Sequence, residues 1–227
     1  MKRATIILLL ICGAVFAQQK DTFTDTRDKK TYKTVKIGTQ TWMAENLNYY
    51  GEDGYLGLCY EDEPRKKIRK PENCRKYGRM YDWDEAMKAC PNGWHLPSNE
   101  EWQTLVDFAG GEDAGIKLKA KSGWDRCKRI ETDNRGRVSN KNDCGTDDYG
   151  FSALPGGVGF DNSFYVNFDG VGNYGGWWST TESVYDLANL RGMAHRDKLV
   201  VRSSYSKSSS LSVRCLKNQA RVQETEK

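Results

Sequence analysis

The chain has 227 residues, with 35 Lys and Arg set against 31 Asp and Glu, a formal net charge of +4. So even a balance gives no electrostatic case for nucleic-acid binding. Beyond the first residues, no apolar stretch is long enough to cross a bilayer as a helix.

Lys2 and Arg3 precede an apolar run from Ile6 to Val15, followed by Phe16-Ala17. This pattern predicts a secretory signal peptide over residues 1–17, cleaved after Ala17. A lipoprotein reading would use Cys12, but Ile11 stands where a small residue is needed. Cleavage would remove two cations and leave 210 residues with a net charge of +2, enough for one domain over residues 18–216 and a polar tail over 217–227. The expected location is secreted or at the cell surface.

Residues 21–43 read as strands, with turn signals at Asp28-Lys29-Lys30 and Gly38-Thr39. Residues 50–76 are polar and charged and read as a loop excursion. They include the basic run 65–70, whose simplest reading is a solvated loop. Asp82, with Glu85 three positions on, predicts a capped helix that ends at Cys90-Pro91. Ser98 and Glu101 form a second capping box. Trp102, Leu105, Val106 and Ala109 then share one helical face, until Gly110-Gly111 stops the helix. A short helical piece is expected near 116–121. Later strand candidates are 151–154, 164–168, 176–179, 188–193, 199–202 and 211–216. The sum is an α+β domain, two helices packed on small twisted antiparallel sheets with long loops.

Six cysteines remain after residue 17, an even number that reads as disulfides in an exported chain. Local spacing suggests Cys59–Cys74 and Cys127–Cys144, which leaves Cys90–Cys215 as the long-range pair. Loops of about 15 residues stabilise by roughly 3 kcal/mol in the chain-entropy model, and one of more than about 100 by nearer 5. A zinc site is the weaker reading, because no CxxC pair exists and the only histidines are His95 and His195.

Several words resemble one family, the Fibrobacter succinogenes major paralogous domain. They are residues 32–38, 40–49, 77–83, 118–120 and 146–157, with Ala89-Cys90-Pro91-Asn92-Gly93-Trp94-His95-Leu96-Pro97-Ser98, Gly176-Trp177-Trp178-Ser179-Thr180-Thr181-Glu182 and Ser212-Val213-Arg214-Cys215. They span about residues 23–216. The resemblance implies a secreted or surface-associated protein with no assigned reaction. Its words look like those of C-type-lectin-like and sulfatase-modifying-enzyme-like domains. In that wider fold a cysteine on the first helix joins the last strand, a role that Cys90–Cys215 would fill.

The sequence holds little catalytic signal. A calcium lectin of that kind would carry Glu-Pro-Asn or Gln-Pro-Asp and then Trp-Asn-Asp. This chain has only Glu63-Pro64-Arg65, in the wrong place. Asp147 and Asp148 remain weak metal candidates, with calcium as the possible ion, although capping the turn before Tyr149-Gly150 explains them as well. A formylglycine-generating-like enzyme would need a reactive cysteine pair late in the chain, but none lies between Cys144 and Cys215. Nothing selects a catalytic carboxylate pair. His95 reads as a buried hydrogen-bonding residue and His195 as part of an exposed loop.

Aromatic residues are the remaining resource. Trp42, Trp83, Trp94 and Trp102 sit where packing is the default. Trp177-Trp178 lies in a strand, where neighbours point to opposite faces, so burial of one leaves the other toward the surface. Tyr49, Tyr50, Tyr55, Tyr165 and Tyr174 have little apolar context. Such rings either pack beneath tethered loops or stack on sugar faces. The expected contacts are Trp177 or Trp178, Tyr174, Asn173, Tyr165 and Arg191, in a non-enzymatic module that binds polysaccharide or a surface protein. Two rivals are a structural component of the cell envelope and, with less support, an enzyme on the formylglycine-generating scaffold.

Overall fold

A computed structural model describes residues 20–52, 56–61, 70–125, 128–132, 138–142, 145–161 and 166–219. Strands β1 (Lys20–Thr24), β2 (Thr31–Ile37) and β3 (Gln40–Met43) form an antiparallel meander. The β1–β2 turn closes on Asp25. Its buried carboxylate accepts the Arg27 backbone N–H at 3.0 Å and the Arg27 guanidinium at 2.7 Å. Gly38 makes the β2–β3 turn at φ 59°, a conformation that costs glycine nothing. Along β2, Tyr32, Thr34, Val35 and Ile37 are buried while Lys33 and Lys36 face water.

Residues 50–76 are not loop throughout. Helix α1 (Pro71–Tyr77) begins with Pro71 in its first turn and is tied to the preceding segment by Cys59–Cys74. Proline suits a helix start because its missing N–H would be unpaired there. That signal was masked by the surrounding charge. Gly78 then takes φ 77°, and a Cβ there would lie 2.7 Å from the Asn46 Cβ. Only glycine lets the chain leaving α1 press against residues 46 and 47.

Strand β4 (Met80–Tyr81) leads into α2 (Trp83–Ala89), and β5 (Trp94–His95) leads into α3 (Asn99–Phe108). Both capping boxes form. Asp82 accepts from the Glu85 N–H at 2.8 Å, and Ser98 accepts from the Glu101 N–H at 3.2 Å. Gly110, left-handed at φ 106°, ends α3. After a 3₁₀ turn, α4 (Ala114–Leu118) lies slightly earlier than the helical piece expected near 116–121.

The second half is mostly strand. β6 (Lys128–Thr132) pairs with β7 (Val138–Asn142), and β8 (Val158–Asp161) pairs with β9 (Val166–Asp169). β10 (Tyr174–Glu182), β11 (Leu187–Ala194) and β12 (Val201–Ser206) form a second meander. The expected strand at 151–154 is only an isolated bridge, Lys119 to Ala153. The expected strand at 211–216 is two short ones, β13 (Leu211–Ser212) and β14 (Leu216–Lys217).

Two five-stranded sheets result, ordered β1-β2-β3-β14-β5 and β12-β11-β10-β13-β4. The only parallel pair among the described strands is β10 with β13. β14 is therefore inserted between the early strands β3 and β5, and β13 between β10 and the early strand β4, and Cys90–Cys215 locks that insertion at the end of α2. Cys127 and Cys144 lie outside the described residues, as does the basic run except Lys70. The fold is α+β with antiparallel sheets and long-range disulfide ties. Among the described residues no helix is long and apolar enough to cross a membrane.

β10 separates two hydrophobic clusters. On one side Trp177 packs with Trp42, Trp102 and Phe151 beside α3. On the other, Trp178 packs with Tyr81, Trp83 and Leu211 beside α2.

Candidate functional site

The residues singled out at the β10–β11 end do not form one surface. Trp177 and Trp178 are both 0% exposed, which corrects the expectation that one would reach the surface. The alternation holds, but α3 covers one face of β10 and α2 the other, so both rings are interior. Each indole N–H is also satisfied, Trp177 donating to Asn46 Oδ1 and Trp178 to the Tyr81 carbonyl, both at 2.8 Å. Arg191 is likewise interior. It donates to the Asn99 carbonyl at 3.0 Å and to Gln103 at 3.2 Å, tying α3 to β11. Burial, with Arg202 nearby, pushes its pKa down.

Tyr174 is half-buried, and its hydroxyl would lie 2.2 Å from a Cβ at residue 192, so Gly192 makes room for it. Burial, with Tyr205 beside it, raises its phenol pKa. Asn173 is exposed, and its carbonyl accepts the His195 backbone N–H. Tyr165 and Tyr55 lie outside the described residues. Tyr49 is buried under the Arg27 guanidinium, 3.6 Å from its ring centroid, and Tyr50 lies under Arg79.

Asp147 takes φ 50° and Ser152 takes φ 54°. The Asp147 carboxylate accepts the Ser152 N–H at 2.8 Å and its hydroxyl at 2.6 Å, so its oxygens serve the turn. Asp148 is exposed. Among the described residues no three His, Cys, Asp or Glu side chains converge as a metal site.

His95 is partly exposed rather than buried. Its Nε2 pairs with Glu101 at 2.9 Å and its Nδ1 with Asn218 at 2.6 Å. It borders a shallow recess of about 560 Å³.

The larger opening is elsewhere. A cleft of about 940 Å³ lies between the β1–β2 hairpin, the last turn of α1, and the turn around Gly150 and Ser152. Asn46 organises its floor. Its Nδ2 donates to the Tyr77 carbonyl at 2.8 Å, and its Oδ1 accepts from Trp177 and from Arg214 Nη2 at 2.6 Å. One asparagine thus joins α1, β10 and the stretch between β13 and β14.

Arg214 is 1% exposed. Its guanidinium lies over the Phe151 ring, 4.5 Å from the centroid, and donates to the Phe151 carbonyl and to Asn46. All of these acceptors are neutral. No carboxylate lies within ion-pair distance among the described residues, and burial pushes its pKa down to about 9, with Glu45 and Asp147 opposing that shift from a distance. A fully desolvated cation without a counter-charge is an expensive arrangement.

Above this floor the walls carry Lys33 from β2 and Arg75 and Lys76 from α1, all exposed. None of these was singled out from the sequence. Arg214 did leave a trace, as the one charged residue of the strand expected at 211–216.

The sequence model of the family described as Fibrobacter succinogenes major domain matches residues 35–217. Searches for similar proteins found no curated relative and no solved structure that matches.

Proposed function

The chain belongs to the Fibrobacter succinogenes major domain family, and from that premise we propose that it works outside the cytoplasm as a non-catalytic binding module. In this reading residues 1–17 are a cleaved export signal, residues 18–216 are the binding domain, and residues 217–227 are a polar tail. The disulfides Cys59–Cys74 and Cys90–Cys215 support an oxidising location. The tie from the end of α2 to the last strands supports a C-type-lectin-like assignment of the fold.

The observation that carries the reading is the cleft. Its polar walls come from parts of the chain distant in sequence, and two of its supports are covalent or buried. Cys59–Cys74 holds the α1 wall, and Asn46 with Arg214 holds the floor. A preformed polar groove binds without a large ordering cost, which suits weak adhesion to a polysaccharide or another surface component. Thr31, Asn48 and Ser152 along the cleft supply hydrogen-bonding groups for hydroxyl-rich ligands. This replaces stacking on Trp177 or Trp178 as the mode of contact.

A second reading, a protein-binding envelope component, draws on a different feature. Val184 and Tyr185 at the β10–β11 turn are 62% and 96% exposed. Such a tip fits a protein partner better than a sugar groove.

Depletion of the oxidised protein, lacking residues 1–17, by insoluble cellulose, xylan and pectin separates the two. Saturable depletion on a polymer is expected, and repeating it with EDTA reports any calcium requirement. No depletion on any polymer, together with a stable protein partner in pull-downs, would favour the second reading.

A further inference from the structure

We propose that the cleft takes an acidic polysaccharide, one whose repeating sugars carry carboxylates. This deepens the binding-module reading and rests on it.

The charge distribution is the starting point. Over the whole chain cations and anions nearly cancel. The cleft departs from that balance. Its lining contains six cations, Lys20, Lys30, Lys33, Arg75, Lys76 and Arg214, and only two carboxylates, Asp21 and Glu45. Lys30 is paired with Asp28 at 3.2 Å, and Lys33 reaches Glu45 only at 3.9 Å with both side chains well exposed. Exposed pairs of that kind contribute little. Lys20, Arg75, Lys76 and Arg214 make no ion pair among the described residues. The cleft therefore holds a surplus of positive charge in a concave setting, where low-dielectric walls concentrate the field.

Arg214 gives that field a fixed element. It is buried beneath the floor, satisfied by neutral acceptors, and cannot turn away toward solvent. It acts through space rather than by touching the ligand. Contact falls to the exposed cations of the lining, Lys33 from β2 and Arg75 with Lys76 from α1. The same lining also offers Thr31, Asn48 and Ser152, which are exposed or half-exposed. Cations alone would fit any polyanion. Cations set among hydroxyl and amide groups fit an acidic sugar, whose repeat offers carboxylates and hydroxyls together.

The test uses the oxidised protein without residues 1–17 and soluble polygalacturonate as the probe, with binding followed by affinity electrophoresis. Methyl-esterified polygalacturonate keeps the hydroxyls and loses the charge. Neutral xylan and dextran sulfate complete the set. We expect binding to polygalacturonate that weakens about tenfold or more on esterification, and similarly when NaCl rises from about 0.05 M to about 0.5 M, where the Debye length falls to about 4 Å. The double reversal Arg75→Glu/Lys76→Glu should lose a comparable factor. Lys36→Glu, an exposed change on β2 outside the cleft lining, should lose none. Equal binding to the esterified polymer or to xylan would overturn this inference while leaving the binding module standing. Binding to dextran sulfate as tight as to polygalacturonate would remove the carboxylate assignment. No binding to any of the four would count against the binding module itself.

Discussion

Around Trp177 and Trp178 the polar groups are closed off from solvent. Trp83, Trp177 and Trp178 each donate an indole N–H to an oxygen at 2.8–2.9 Å, and the rings are almost wholly buried. In the cleft, Arg75, Lys76 and Arg214 find no carboxylate among the described residues, and Arg75 and Lys76 are exposed. The aromatic-rich region looks like a sugar platform in the sequence and is a core in the structure. The cleft looks like unremarkable charge in the sequence and holds cations without an ion-pair partner among the described residues. In this fold ring density marks packing, and on our proposal unpaired charge marks the ligand's place.

This contrast can be broken by experiment. The largest effect should come from Cys90→Ser/Cys215→Ser. Releasing a tie across 125 residues should cost about 5 kcal/mol on the chain-entropy scale. Urea unfolding measures it, and a loss below about 1 kcal/mol would mean that packing alone holds the inserted strands. Next, Trp178→Ala should cost about 3–5 kcal/mol, as for other large core truncations. Polymer binding should fall only as far as folding does. If stability held and binding vanished, Trp178 would be a contact after all and the contrast would collapse.

Alkaline titration gives a smaller effect. Burial raises the phenol pKa values of Tyr32, Tyr81 and Tyr174 above their ordinary value of 10.0. In the unfolded chain these phenols ionise first, so the contribution is complete below pH 10 and is lost as pH rises above it. Urea midpoints should fall from pH 10 upward. Tyr81→Phe should flatten that fall, at a cost of about 1 kcal/mol at neutral pH for the bond to the Tyr49 carbonyl. A midpoint insensitive to pH between 9 and 12 would contradict this. The smallest stability effect should come from Arg75→Glu/Lys76→Glu, within about 0.5 kcal/mol because both side chains are exposed. A large loss there would make α1's charges structural and would blunt the distinction between wall and core.

What could be read from the sequence followed from the range of the interactions. The capping boxes at Asp82 and Ser98 are local, four residues long, and appeared where expected. The strands of the β10–β12 meander were recognisable from short apolar runs between turn residues. The exposure of Trp177 and Trp178 was not, because strand alternation says which residues share a face but not whether that face is covered. Covering it needed α2 and α3, which lie some 80–100 residues earlier in the chain. The cleft was the least legible feature. Its floor depends on Asn46 meeting Arg214 across 168 residues, and one wall is a helix that the charges around Pro71 concealed.

The strand order also bears on how the chain is completed as it emerges. β14 pairs with β3 on one edge and β5 on the other, and β13 lies between β4 and β10. Strands made early therefore wait with open edges for residues 211–217. During synthesis, neither sheet closes until almost the whole chain has emerged. Before then the unpaired edges of β3 and β4 are open to other strands. A chain stopped short of residue 211 would lack the strand that joins β5 to one sheet, the strand that joins β4 to the other, and the cysteine partner of Cys90, so nascent or clipped forms should need protection from aggregation until those residues arrive.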